Sequence, residues 1–112
     1  MIEVRNRKHY RGAGIYIGRT MGQLKGSVLG NPFRVKPHGI YDRSESVTLY
    51  RRWLWKHVQS RTGVVYDEIC RLKNLAESGD LTLLCWCKQP DKEIACHGDV
   101  VKACIEWLMK NE

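Results

Sequence analysis

No part of the chain approaches the run of about 18 uninterrupted apolar residues that a membrane-spanning helix needs. The first dozen residues, MIEVRNRKHYRG, contain no apolar segment of the secretory kind, so a cytoplasmic protein is expected. No period of about 20 to 50 residues recurs, which argues against a solenoid or propeller array. Neither G-x-G-x-x-G nor G-x-x-x-x-G-K-[ST] is present, so no dinucleotide or P-loop fingerprint applies. Acidic residues are scarce in the first half. Residues 1–56 hold twelve Lys and Arg against three Asp and Glu, whereas residues 57–112 hold seven against nine. The net charge of +7 is therefore a property of the N-terminal half, and it points to an anionic partner: a nucleotide, a nucleic acid or an acidic protein surface. The plain alternative is a solvated basic face.

The remaining composition is ordinary. With 112 residues, 43% hydrophobic and 28% charged, the chain reads as a single α/β domain over residues 1–112 rather than a disordered tail or a heptad rod. The five cysteines are odd in number and lack an export signal, which favours reduced thiols used for metal binding, catalysis or packing over a disulfide framework.

Ile2-Glu3-Val4 alternates as a short strand, the basic stretch RNRKHYR follows, and Gly12 and Gly14 lead into a second strand at Ile15-Tyr16-Ile17. A hairpin with the basic residues at its tip is the simplest arrangement. From Gly18 to about Ile40 neither helical nor strand period is clean, yet Val28, Leu29, Phe33 and Val35 argue for an ordered, partly packed loop rather than disorder. Asp42 or Ser44 caps a helix carrying Val47, Tyr50, Trp53, Leu54 and Val58 at three- and four-residue steps, ending near Gln59 to Gly63. Val65, Ile69, Leu72 and Ala76 mark a second helix, stopped by Ser78-Gly79. Leu81 to Cys87 is apolar on both parities, as in a central strand covered on both faces. Val100, Val101, Cys104, Ile105 and Leu108 define a terminal helix after Cys96-His97-Gly98-Asp99.

This order predicts an α/β fold: a small sheet of about three strands, at least partly parallel, packed with three helices. In such sheets ligands bind beyond the carboxyl ends of the strands. Two segments lie there, one at Gly18-Arg19 and one from Cys85 to Asp99.

Cys85, Cys87, Cys96 and His97 form a candidate tetrahedral zinc set, since residues two apart on a strand share a face. Alternatively Cys96, at the start of the last helix, is a nucleophile assisted by His97 or Asp99, its thiolate favoured by the helix dipole. The plain reading is packing for Cys85 and Cys104 and a first-turn charge for Asp99. Glycines at 14, 18, 22, 26 and 30 recur every four residues. Gly18 and Gly30 would let backbone N–H groups approach an anion, Arg19 would clamp it, and Asn31 would orient it or the loop. Against this, Gly30-Asn31-Pro32 reads as a turn with Gly30 at positive φ. Arg5, Arg7, Lys8 and Arg11 around Tyr10 suit tracking of a nucleic-acid backbone with a base stacked on the ring, or simply a solvated turn. Trp55 lies off its helix's main stripe and is a candidate exposed contact.

Tyr16-Ile17-Gly18-Arg19, Leu29-Gly30-Asn31-Pro32-Phe33, Tyr50 with Trp53-Leu54, and Cys85-Trp86-Cys87 with Cys96-His97-Gly98-Asp99 together resemble a family of small bacterial and phage proteins, domain of unknown function 4326. The resemblance covers most of the chain and implies a shared compact domain with a common site built from these segments. The functional expectation is that the Gly-rich loop and the Cys/His segment converge on one pocket for a phosphate-bearing ligand, with or without catalysis. The alternative is a non-enzymatic, phage-encoded interaction module with structural or zinc-binding cysteines.

Overall fold

A computed structural model describes residues 1–10, 12–21, 23–86 and 96–111. Among these, β1 (Ile2–Asn6), β2 (Ile15–Tyr16), α1 (Arg43–Ser60), α2 (Val64–Ser78), β3 (Leu81–Cys85) and α3 (His97–Asn111) follow in the expected order. The strands form a parallel sheet in the order β1-β3-β2. The fold is α/β with three strands and three helices, and no described helix is long and apolar enough to cross a membrane.

Each element follows from local chemistry. Asp42 caps α1 by accepting from Glu45 N at 2.8 Å, while Glu45 Oε1 accepts from Asp42 N at 3.1 Å, a reciprocal capping box. Arg61, left-handed at φ 55°, ends α1, and Gly63 at φ 96° supplies the turn into α2 that a side chain would resist. Tyr50, Leu54 and Val58 of α1, Ile69 and Leu72 of α2, and Val101, Ile105 and Leu108 of α3 share one buried core with Ile2, Leu81 and Leu83. Each Leu, Ile or Val buried in this way contributes about 1.5–3 kcal/mol relative to exposure.

The helical layer covers one sheet face only. The register pairs Ile2 with Leu81, Val4 with Leu83 and Asn6 with Cys85, and it is Ile2, Leu81, Leu83 and Cys85 that belong to the core. Arg5, Leu84 and Tyr16 are register partners on the opposite face. Leu84 is nevertheless buried, because the backbone at Gly14 lies so close that a Cβ there would sit 2.9 Å from Leu84 Cγ. The expected central strand is thus central and covered on both sides, with a helical layer on one face and a chain crossing on the other.

The expected hairpin does not form. β1 and β2 each pair with β3 and not with one another: the most apolar strand takes the middle of the sheet, with the more polar β1 at one edge and the two-residue β2 at the other. The chain leaving β1 lies at the carboxyl end of β3, where Arg7 N donates to Cys85 O at 2.8 Å. In the long segment after β2, Leu29 is fully buried, Phe33 packs against the core and Tyr50 Oη donates to Leu29 O at 2.7 Å, so this loop is ordered by its apolar residues as expected.

Candidate anion-binding cavity

All three strands run in one direction, so their carboxyl ends meet at one edge of the sheet. There β2 leads into Gly18 and Arg19, β3 into Trp86, and β1 into the basic turn. A cavity of about 320 Å³ opens at this edge. Its walls combine Tyr16, Gly18, Arg19 and Met21 after β2, then Asn31, Phe33, Val35 and His38 from the long loop. Arg43, Ser46 and Val47 come from the first turn of α1, Trp86 from the end of β3, and His97 from the first residue of α3.

The electrostatics favour an anion. Two guanidiniums and two imidazoles line the cavity and, among the described residues, no carboxylate does. The N-terminal turns of α1 and α3 both face it, adding the positive ends of two helix dipoles. Burial and the nearby Arg34 charge lower the Arg19 pKa, while Tyr16 acts in the opposite sense. A guanidinium keeps its charge through such shifts. Burial is the main cause of the Arg19 shift, and an anion placed against the guanidinium would offset that lost solvation.

Arg19 is held at both ends. Trp86 Nε1 donates to Tyr16 Oη at 2.8 Å, and Tyr16 Oη donates to Arg19 O at 2.6 Å. Partial burial is the main cause of a raised Tyr16 pKa, so the phenol keeps its proton at neutral pH. The Arg19 side chain in turn donates from Nη1 to Asn31 O at 3.0 Å. The glycines permit this packing. A Cβ on Gly18 would sit 2.4 Å from Tyr16 Oη, and one on Gly30 would sit 3.1 Å from both Arg19 N and Arg19 Cγ. The expected positive φ at Gly30 is absent; Gly30 is small because Arg19 packs against it.

The Asn31 amide is committed to the loop. Its Nδ2 donates to Ser46 Oγ at 2.8 Å, its Oδ1 accepts from Phe33 N at 2.8 Å, and Ser46 Oγ donates to Phe33 O. This closed ring of bonds pins the loop to α1, so Asn31 orients Arg19 through its own carbonyl. His97, 7% exposed, forms the floor, with Nε2 3.2 Å from Ile17 O and its ring edge-on to Tyr50 at 5.2 Å.

The three candidate catalytic residues part company. Cys96 is 1% exposed; its Sγ lies 3.2 Å from Cys85 Sγ and accepts from Gly98 N at 3.3 Å, which makes the sulfur a cap for α3. Gly98 must be glycine for this, because a Cβ would approach Val4 Cγ1 to 2.7 Å. Cys96 and Asp99 line a separate cavity of about 360 Å³ between α1 and α3, beside Arg51 and Trp55. Trp55 is half-buried there and stacks edge-on with Trp107 at 5.5 Å, rather than standing exposed. Among the described residues no three His, Cys, Asp or Glu are grouped to hold a metal; Cys87 of the candidate zinc set lies outside them. Cys104 is fully buried, and burial pushes its thiol up to about 12, in keeping with a packing role.

Of the basic turn, Arg5, Arg7, Lys8 and Tyr10 are described and Arg11 lies outside the described residues. Asn6 organises the turn: its Oδ1 accepts from Lys8 N at 2.8 Å, and its Nδ2 donates to Trp86 O at 3.0 Å. The Arg5 guanidinium lies over the Tyr10 ring at 5.8 Å.

Sequence reasoning missed Arg43, Ser46, His38 and the cavity role of Trp86. Arg43 carried a signal, since a cation in the first turn of a helix opposes the dipole and is disfavoured without an anion nearby. Ser46 carried another, a polar residue one position from Val47 on the buried side of its helix.

The family described as Domain of unknown function (DUF4326) matches residues 2–107, which include every element around the cavity, and the chain belongs to this family. No curated protein and no solved structure matches the chain.

Proposed function

We propose that this protein binds a phosphate-bearing ligand, a nucleotide or nucleic acid, in the cavity between Arg19 and His97. The observation that carries the reading is a cavity lined by Arg19, Arg43, His38 and His97, faced by two helix N-termini and free of carboxylates among the described residues. Arg19 and Arg43 hold phosphate oxygens, each guanidinium offering paired donors. Tyr16, Phe33 and Trp86 supply aromatic walls for a base, and a volume of about 320 Å³ lies within the range of small-molecule sites. His97 is the one candidate catalytic residue at this cavity, so any proton transfer here falls to its imidazole. Cys96 and Asp99 serve the N-terminus of α3.

The test is calorimetric titration with adenosine and guanosine mono-, di- and triphosphates and short oligonucleotides at low salt. Affinity should fall steeply as salt rises. Arg19→Ala should weaken binding at least tenfold while the melting temperature changes little, because the residue is exposed. Absence of affinity across the panel, or unchanged binding by Arg19→Ala, refutes the reading.

A further inference from the structure

We propose that the cavity takes the terminal phosphate of a single-stranded nucleic acid, whose next nucleotides cross Trp86 onto the basic turn after β1. The proposal rests on the phosphate-binding reading above and specifies its ligand. Three observations carry it.

The first is a packed floor. Ser46, Val47 and His97 are 0%, 9% and 7% exposed, so this side of the cavity is backed by packed side chains and suits a strand end better than a strand running past. The second is the rim. Trp86 lines the cavity yet is 41% exposed, and it connects two places: its indole donates to Tyr16 inside, and its carbonyl accepts from Asn6 at the root of the basic turn. A ring half in solvent on that path is a stacking platform for an unpaired base, and such stacking tolerates any sequence.

The third is the register. Tyr16, Leu84 and Arg5 are partners across the three strands on the face away from the helices, so Arg5 stands two strand spacings, about 10 Å, from the residue that holds Arg19. Arg5, Arg7 and Lys8 bring three cations to this end of β1, and Arg5 also pairs with Glu3 at 3.4 Å. The Arg5–Tyr10 pair presents a second aromatic ring backed by a cation. Charge, rings and a pocket with a packed floor along one edge match a short single strand. They do not match a duplex, whose bases are already stacked and whose end is too wide for the cavity.

The experiment measures fluorescence anisotropy with tetranucleotides that carry a phosphate at the 5′ end, at the 3′ end or at neither, the dye being attached opposite the phosphate. Unlabelled mononucleotide competes. One phosphorylated tetranucleotide is expected to bind about tenfold tighter than both the mononucleotide and the unphosphorylated tetranucleotide. An Arg5→Ala/Lys8→Ala variant should reduce the tetranucleotide's advantage over mononucleotide and lower the salt slope by about 0.7 for each phosphate that is no longer neutralised. Arg19→Ala should weaken both ligands. Mononucleotide binding equal to that of every tetranucleotide, or indifference to the terminal phosphate, overturns this proposal and leaves the phosphate-binding reading standing. An unaltered advantage in the double variant does the same. Failure of all ligands, mononucleotide included, overturns both.

Discussion

Replacing Asn31 with alanine tests whether this residue holds the loop or touches the ligand. The substitution removes the donation to Ser46 Oγ and the acceptance from Phe33 N, both at 2.8 Å; Ser46 Oγ keeps its bond to Phe33 O, while the part-buried Phe33 N–H loses its acceptor. A net hydrogen bond is worth about 1 kcal/mol and a stranded buried group costs about 1–3 kcal/mol, so the loss should total about 2–4 kcal/mol. A domain of this size has about 5–15 kcal/mol to lose, and its melting temperature moves by roughly 3–6 °C per kcal/mol. The variant should therefore melt roughly 6–24 °C lower, as read by circular dichroism. Nucleotide affinity, measured well below that transition, should also fall, because Asn31 O is the acceptor that aims Arg19. A variant that loses affinity while melting within about 1 °C of the parent would refute this reasoning, since the amide would then be a direct ligand contact.

Gly98→Ala places a methyl group 2.7 Å from Val4 Cγ1 and should destabilise the fold by about 1–3 kcal/mol, seen as a lower midpoint in urea. Cys104, raised by burial to about 12, should resist a thiol reagent at pH 8 until the protein unfolds. Its folded pKa exceeds the unfolded value, so above about pH 9 the unfolded chain releases a proton that the native state retains. Stability should then fall by at most about 1.4 kcal/mol per pH unit towards pH 12, and Cys104→Ala should remove that part of the slope. The N–H of Glu45 is the main cause holding the Asp42 carboxyl below its usual pKa. A depressed folded value means stabilisation that is complete above about pH 4 and is lost as the pH falls through the folded pKa. Asp42→Ala should flatten this acid limb of a stability titration.

Much of this protein follows from local pattern. Asp42 and Glu45 stand three apart before a 3.6-residue apolar stripe, and that spacing alone specifies a capped helix at α1. Leu81 to Cys85 is apolar on both parities, which assigns a buried central strand, and strands separated by helices imply parallel pairing. That Arg19 and His97 lie beyond carboxyl ends of strands was legible for the same reason. Local pattern carries no information about which strand lies next to which, because pairing is decided by competition for the most apolar partner. For this reason the expected hairpin gives way to β1-β3-β2. Nor does adjacency in sequence mean adjacency in a site. Successive residues turn by about 100° around a helix, so Cys96 and His97 leave the start of α3 towards different cavities. Arg43 and Ser46 join Arg19 because packing of Leu29 and Phe33 folds the long loop against α1, and Trp86 joins because β2 pairs with β3; no short-range spacing is sensitive to either.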